Sequence, residues 1–186
     1  MTMTKGSRLE TAILVMGVCG TGKSSIGKAV ATELGAEFIE GDDFHSVDNK
    51  RRMAAGLPLT DEMRWPWLDA VAQAAASARE RGPVVVACSA LKEAYRDRLR
   101  RRLPSVSIAY LSGDAALIAA RIAARSDHFM PVSLLESQLR DLEVPNGADV
   151  IAIAIDQPLA ASVEAIRDFA LIRSDVERAG RQPSLE

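Results

Sequence analysis

The chain has 186 residues, one domain's worth, with 48% hydrophobic and 26% charged residues, a globular composition that excludes disordered and fibrous classes. A formal net charge of -2 argues against a dedicated nucleic-acid binder, which carries a basic surplus. No apolar run approaches the roughly 20 residues of a membrane span, and two cysteines, Cys19 and Cys88, make no disulfide framework.

Apolar runs of strand length alternate with segments of helical period, the pattern of βαβ units and a parallel sheet. The first strand reads Ala12 to Met16 (AILVM), continuously apolar as a strand buried on both faces should be. A glycine-rich turn leads into a helix of about Lys23 to Leu34, ended by Gly35. Ala36 to Glu40 is a short second strand. Residues 41–64 are polar and poorly periodic, an excursion with short helical pieces. A helix of about Pro66 to Arg81 follows. Then come a strand Val84 to Cys88, a helix of about Leu91 to Leu103, and a strand Val106 to Leu111. Asp114 suits the cap of a helix to about Arg125. The pattern breaks at 126–130 and resumes as a helix from Pro131. The last strand is Val150 to Ile155, and the last helix runs from about Pro158 to Ile172. The tail, about 180–186, is expected to fray. The whole is expected to be one domain over 1–186, with no signal core at its start and the cytoplasm as its location.

Between the first strand and helix stands GVCGTGKS, Gly17 to Ser24, matching G-x-x-x-x-G-K-[ST]. A chance match is expected in about one in two hundred chains of this length, and the flanking strand and helix lower that further. Glycines 17, 20 and 22 let the backbone curl so that its N–H groups point inward as an anion nest. The helix N-terminus adds partial positive charge. The segment Gly17, Val18, Cys19, Gly20, Thr21, Gly22, Lys23, Ser24 and Ser25 is therefore expected to hold ATP. Lys23 reaches the β- and γ-phosphates and Ser24 ligates Mg²⁺. Cys19 fills a small space, and its place beside a helix N-terminus and Lys23 also suits a low-pKa thiol that bound ATP would shield.

A phosphate loop does not by itself say what receives the phosphate. GTPases and motor ATPases place an acid at the end of the strand beside the loop strand, whereas here VVVACSAL ends without one. The acids sit instead in EGDDFH, at the carboxyl edge where open α/β folds bind ligands. Asp42 suits a carboxylate that orients an acceptor hydroxyl, with Asp43 and Glu40 as holders of magnesium's waters. Lys50, Arg51, Arg52 and Arg64 suit an anionic acceptor. Arg121 and Arg125 share a helix face just before the break, where a lid arginine can steady the moving phosphoryl group, an effect worth about 10³ to 10⁵ in rate. Trp65 and Trp67 read as packing.

Four segments carry a resemblance: MGVCGTGKSS from Met16, GDDFHSVDNKRRMAAGLPLTDEMRWPWL from Gly41, ACSALKEAYRDRLR from Ala87, and HFMPVSLLESQLRDLEVP from His128. In these the chain resembles the gluconokinases of the small, shikimate-kinase-like type. The resemblance implies a three-layer α/β P-loop kinase fold with a five-stranded parallel sheet. It implies ATP- and magnesium-dependent phosphorylation of gluconate, a substrate segment at about 42–64, a lid at about 121–140, and a homodimer; charge and hydropathy lead us to expect no nucleic-acid or membrane partner. Carried over by position, Asp42 is the hydroxyl-orienting carboxylate; His45, Arg52 and Arg64 belong to the substrate segment, Lys92 and Arg96 to the ALKxxYRD motif, and His128 and Gln138 to the lid. Adenine would rest between the lid-side arginine and residues 156–158. Departures from the family pattern, at Glu40, Ser46, Thr60, Met63 and Leu139, gather around the substrate segment and loosen the identity of the acceptor.

Overall fold

This computed structural model describes residues 11–124 and 132–180. Five strands, β1 (Ala12–Met16), β2 (Glu37–Glu40), β3 (Val84–Ala87), β4 (Ser107–Ser112) and β5 (Val150–Ala154), form one sheet. The order is β2-β3-β1-β4-β5, and every pairing is parallel. The strand before the phosphate loop is thus central, with all five of its residues buried.

Side chains alternate across a strand, and β1 divides them between two cores. Leu14 and Met16 join Leu68, Val71, Leu99 and Ile108 under α3 (Asp61–Arg79) and α4 (Glu93–Arg100). Ile13 and Val15 join Ile26, Val30, Ile118 and Ile166 under α1 (Lys23–Leu34), α5 (Ala115–Ala123) and α7 (Leu159–Gly180). Helix, sheet and helix make the three expected layers. Between β2 and α3 lie a 3₁₀ turn (Gly41–Phe44) and α2 (Val47–Ala54); α6 (Val132–Asp141) follows α5. Among the described residues, no helix is long and apolar enough to cross a membrane.

Three helices differ from their expected bounds. Pro66 suggests a helix start, yet α3 begins five residues earlier, where the Thr60 hydroxyl accepts from the Met63 amide and Asp61 and Glu62 face the helix's positive end. Proline at 66 leaves the Glu62 carbonyl without its helical partner; Glu62 is exposed, so water can serve it. α4 starts two residues later than expected because Ala90, at φ 41, holds the chain out of helical geometry. α7 continues past Ile172 because neither proline nor glycine interrupts the sequence before Gly180.

Candidate functional site

The phosphate loop leaves the carboxyl end of β1 and enters α1 through Gly22, the N-cap residue, at φ 92. Only glycine adopts that conformation without strain. The Thr21 hydroxyl donates to the Val18 carbonyl at 2.8 Å, and Lys23 Nζ donates to the same oxygen at 3.0 Å. The loop is therefore closed on itself, with its lysine folded across it. The Cys19 amide donates to Gln138 Oε1 at 2.7 Å, so α6 touches the loop directly.

Across the cavity, the 3₁₀ turn follows β2 immediately. Gly41 is pressed against the end of β3: a Cβ there would lie 2.6 Å from the Ala87 carbonyl oxygen. That contact sets Asp42 and Asp43 at the carboxyl edge of the sheet, and no acid ends β3 itself. Lys23, Asp42, Asp43, His45, Lys50, Arg64 and Gln138 all line one cavity of about 640 Å³. Residues far apart in sequence thus meet where a phosphoryl donor and an acceptor could face each other.

Arg64 is the cavity's best-braced cation. Its side chain is 12% exposed, and its Nη1 meets Tyr95 Oη at 2.8 Å, Asp141 Oδ2 at 3.3 Å and Asp61 Oδ1 at 3.4 Å. Tyr95 in turn donates to Asp61 Oδ1 at 2.5 Å, and Lys92 Nζ reaches both Asp61 oxygens at 2.9 and 3.0 Å. The Tyr95 hydroxyl and then Lys92 hold the Asp61 carboxyl below its usual range. Asp61 also raises the Lys92 ammonium. Tyr95, Asp61 and Asp141 were not expected here. Tyr95 carried a signal, a phenol in the charge-rich helix α4, whereas nothing sets Asp61 and Asp141 apart from the chain's other acids.

Several expected residues lie elsewhere. Arg96 is 1% exposed and lies outside the cavity lining. Its Nη1 donates to the Ala90 and Leu91 carbonyls at 3.0 and 2.8 Å, and its Nε to Glu93 at 3.0 Å. A non-glycine residue at φ 41 costs about 1–3 kcal/mol, and Arg96 is what pins it, shaping the loop that brings Ser89 and Leu91 to the cavity wall. Lys92 stands outside the cavity lining, paired with Asp61. Arg52 also lies outside it, donating to the Pro58 carbonyl at 2.8 Å and tying α2 to the turn before α3. Arg121 donates to the Ile155 carbonyl at 2.7 Å, beside residues 156–158. Trp67 does more than pack, since it lines the cavity and its Nε1 donates to the Gly41 carbonyl at 2.7 Å. Arg125 and His128 fall outside the described residues.

Two departures from the family pattern have a local reason. Ser46 and Thr60 each accept a backbone N–H at a helix start, from Asn49 at 3.1 Å and Met63 at 3.4 Å. They are caps, not acceptor contacts. The structure offers no reason for Glu40 in place of aspartate.

Titration follows burial. Burial pushes the His45 imidazole down to about 4, against the smaller opposing pull of Asp42. Burial pushes the Cys88 thiol up to about 12. Cys19 is 8% exposed on the cavity wall and Cys88 fully buried, so iodoacetamide is expected to modify Cys19 alone in the native protein, more slowly with ATP present. Peptide mass spectrometry reads this. Equal rates with and without ATP would remove Cys19 from the nucleotide site.

A family model described as an AAA domain matches residues 13–145. The thermosensitive gluconokinase of Escherichia coli K12 is 42% identical over 163 residues, covering 86% of this chain and 87% of that one. A gluconokinase of Arabidopsis thaliana is 38% identical over 160 residues, covering 77% and 83%. The crystal structure of a gluconokinase from Sinorhizobium meliloti 1021 superposes with a TM-score of 0.85 at 43% identity, covering 95% of this chain and all of that one (100%). With a phosphate loop and an acid-bearing turn facing one cavity, and with such likeness along most of its length, the chain belongs to the gluconokinase family of P-loop kinases.

Proposed function

We propose that the protein transfers the γ-phosphoryl group of ATP to D-gluconate, giving 6-phospho-D-gluconate and ADP. The observation that carries this reading is the shared cavity: Lys23 from the phosphate loop lines it together with Asp42 and Arg64 from the substrate segment. Backbone amides of residues 20–25 and Lys23 hold the phosphates. Asp42 accepts a hydrogen bond from the attacking hydroxyl, aims its oxygen in line with the γ-phosphorus, and receives the proton as the O–P bond forms and ADP leaves. Arg64, already held through Nη1, offers the rest of its guanidinium to the gluconate carboxylate, with Lys50 as a second positive charge.

Of the residues suited to magnesium, Asp43 lines the cavity and Ser24 follows Lys23 in the phosphate loop. Among the described residues, no group of three or more His, Cys, Asp or Glu could hold a metal unaided, as suits an ion held mainly by phosphates and water. Ser24 would be its one direct protein ligand, with Asp43 and Glu40 acting through water. When bound, magnesium neutralises charge on the β- and γ-phosphates. Neither Cys19 nor Cys88 is disulfide-bonded, which supports a cytoplasmic kinase, and the family resemblance supports a homodimer.

ADP release measured with gluconate, shikimate, other sugar acids and nucleoside monophosphates tests the reading. Gluconate is expected to give the highest kcat/KM. Faster turnover of another hydroxy acid would reassign the acceptor, and ATP binding without turnover on any of them would leave only a nucleotide-binding protein.

A further inference from the structure

The two ring nitrogens of His45 have different neighbours, and Asn49 tells them apart. Asn49 is 5% exposed, an amide buried inside a short helix. Its Nδ2 donates to the Met63 carbonyl at 3.2 Å and lies 3.4 Å from His45 Nδ1. The Met63 contact decides which way the carboxamide faces, because only its NH₂ end can donate to a carbonyl. The same NH₂ group faces Nδ1, so Nδ1 is an acceptor and carries no proton. The proton of the ring then sits on Nε2, and Nε2 lies 3.9 Å from Asp42 Oδ1.

The surroundings leave the ring little freedom. His45 stacks on Trp67 with centroids 4.2 Å apart and planes 16° apart. Trp67 is itself held by its hydrogen bond to the Gly41 carbonyl, so one indole braces both the ring and the backbone that presents Asp42. The Ser46 hydroxyl, accepting from the Asn49 amide, fixes where α2 begins and hence where Asn49 stands. A separation of 3.9 Å exceeds a hydrogen bond, but the exposed Asp42 side chain, 70% accessible, can close it by rotation when an acceptor enters.

We propose that Asn49 is a positioning residue that fixes His45 as its Nε2–H tautomer, so that His45 donates to one oxygen of Asp42 and leaves the other for the acceptor hydroxyl. This inference rests on the reading of Asp42 as the hydroxyl-orienting carboxylate. It gives His45 a role distinct from substrate contact: it limits Asp42 to one rotamer without adding a positive charge that would compete for the carboxylate.

The substitution Asn49→Asp presents carboxylate oxygens to Nδ1, which draws the proton there and turns Nε2 into an acceptor facing Asp42. Long-range ¹H–¹⁵N correlation spectra of the intact protein read the tautomer, with the His45 signals identified by their loss in His45→Gln. The wild type is expected to show Nε2–H and Asn49→Asp to show Nδ1–H. kcat should fall by about tenfold to a hundredfold, the usual effect of a group that orients a first-contact residue, while KM for ATP stays unchanged. Should Asn49→Asp not fold, Asn49→Ala removes the donor without installing an acceptor; it is expected to show mixed tautomers and a smaller fall in kcat. Nδ1–H in the wild type overturns the proposal without recourse to any variant, as does an inverted tautomer with wild-type kcat. Full turnover in Asp42→Asn would instead strike the underlying reading of Asp42.

Discussion

Replacing Asp42 with asparagine is expected to lower kcat by about 10²- to 10⁴-fold, the range of a positioned general base, and to leave ATP affinity nearly unchanged. Asparagine keeps the shape and one carbonyl oxygen but cannot take up the proton of the attacking hydroxyl. The substitution is well posed because the Asp42 side chain is 70% exposed and stands on a 3₁₀ turn whose position is set by its neighbour Gly41, packed against β3. The fold should therefore be undisturbed, with an unaltered melting curve. Turnover is read by ADP release, and ATP affinity by calorimetry without acceptor. A wild-type kcat would refute the assignment, and a large loss of ATP affinity would place Asp42 on the nucleotide side.

The Lys23→Ala variant is expected to lose about 10²- to 10³-fold in kcat, the effect of deleting one preorganised donor to developing charge, and to weaken ATP binding as well. Lys23 Nζ now rests on the Val18 carbonyl at 3.0 Å, a neutral partner that phosphate oxygens would outbid, since hydrogen bonds between charged groups are the stronger kind. Alanine is a good helix former at the first residue of α1, so stability should hold. Lys23→Arg is expected to restore little, because a planar fork does not replace a compact ammonium. Thus Asp42→Asn should alter kcat alone, and Lys23→Ala both kcat and ATP affinity. A Lys23→Ala enzyme with unchanged ATP affinity and turnover would mean that the phosphates are held elsewhere.

The phosphate loop with its flanking strand and helix was open to reading because its determinants are local. A continuous apolar run, glycines at set spacing and a helix start lie within 23 residues of one another, from Ala12 to Leu34. The acids of the 3₁₀ turn were placed by the same means, as the residues directly after a strand. Arg96 shows where this ends. Its motif, its charge and its neighbour Lys92 all point to an anion, but burial turned it inward onto the Ala90 and Leu91 carbonyls. A guanidinium's choice between solvent, ligand and backbone depends on what the rest of the chain packs over it, and no nearby residue announces that.

The chain's own order of residues determined the sheet, the anion nest, the acid-bearing turn and, through four segments, the family. Only tertiary structure decided which cations face the cavity, that Tyr95, Asp61 and Asp141 converge on Arg64 across 31, 3 and 77 positions of sequence, and that Gln138 reaches the Cys19 amide across 119. Strand and helix signals repeat over a few residues, so they survive in any window of the sequence. A side-chain contact needs two distant segments in register, and that register is set by the packing of both cores at once.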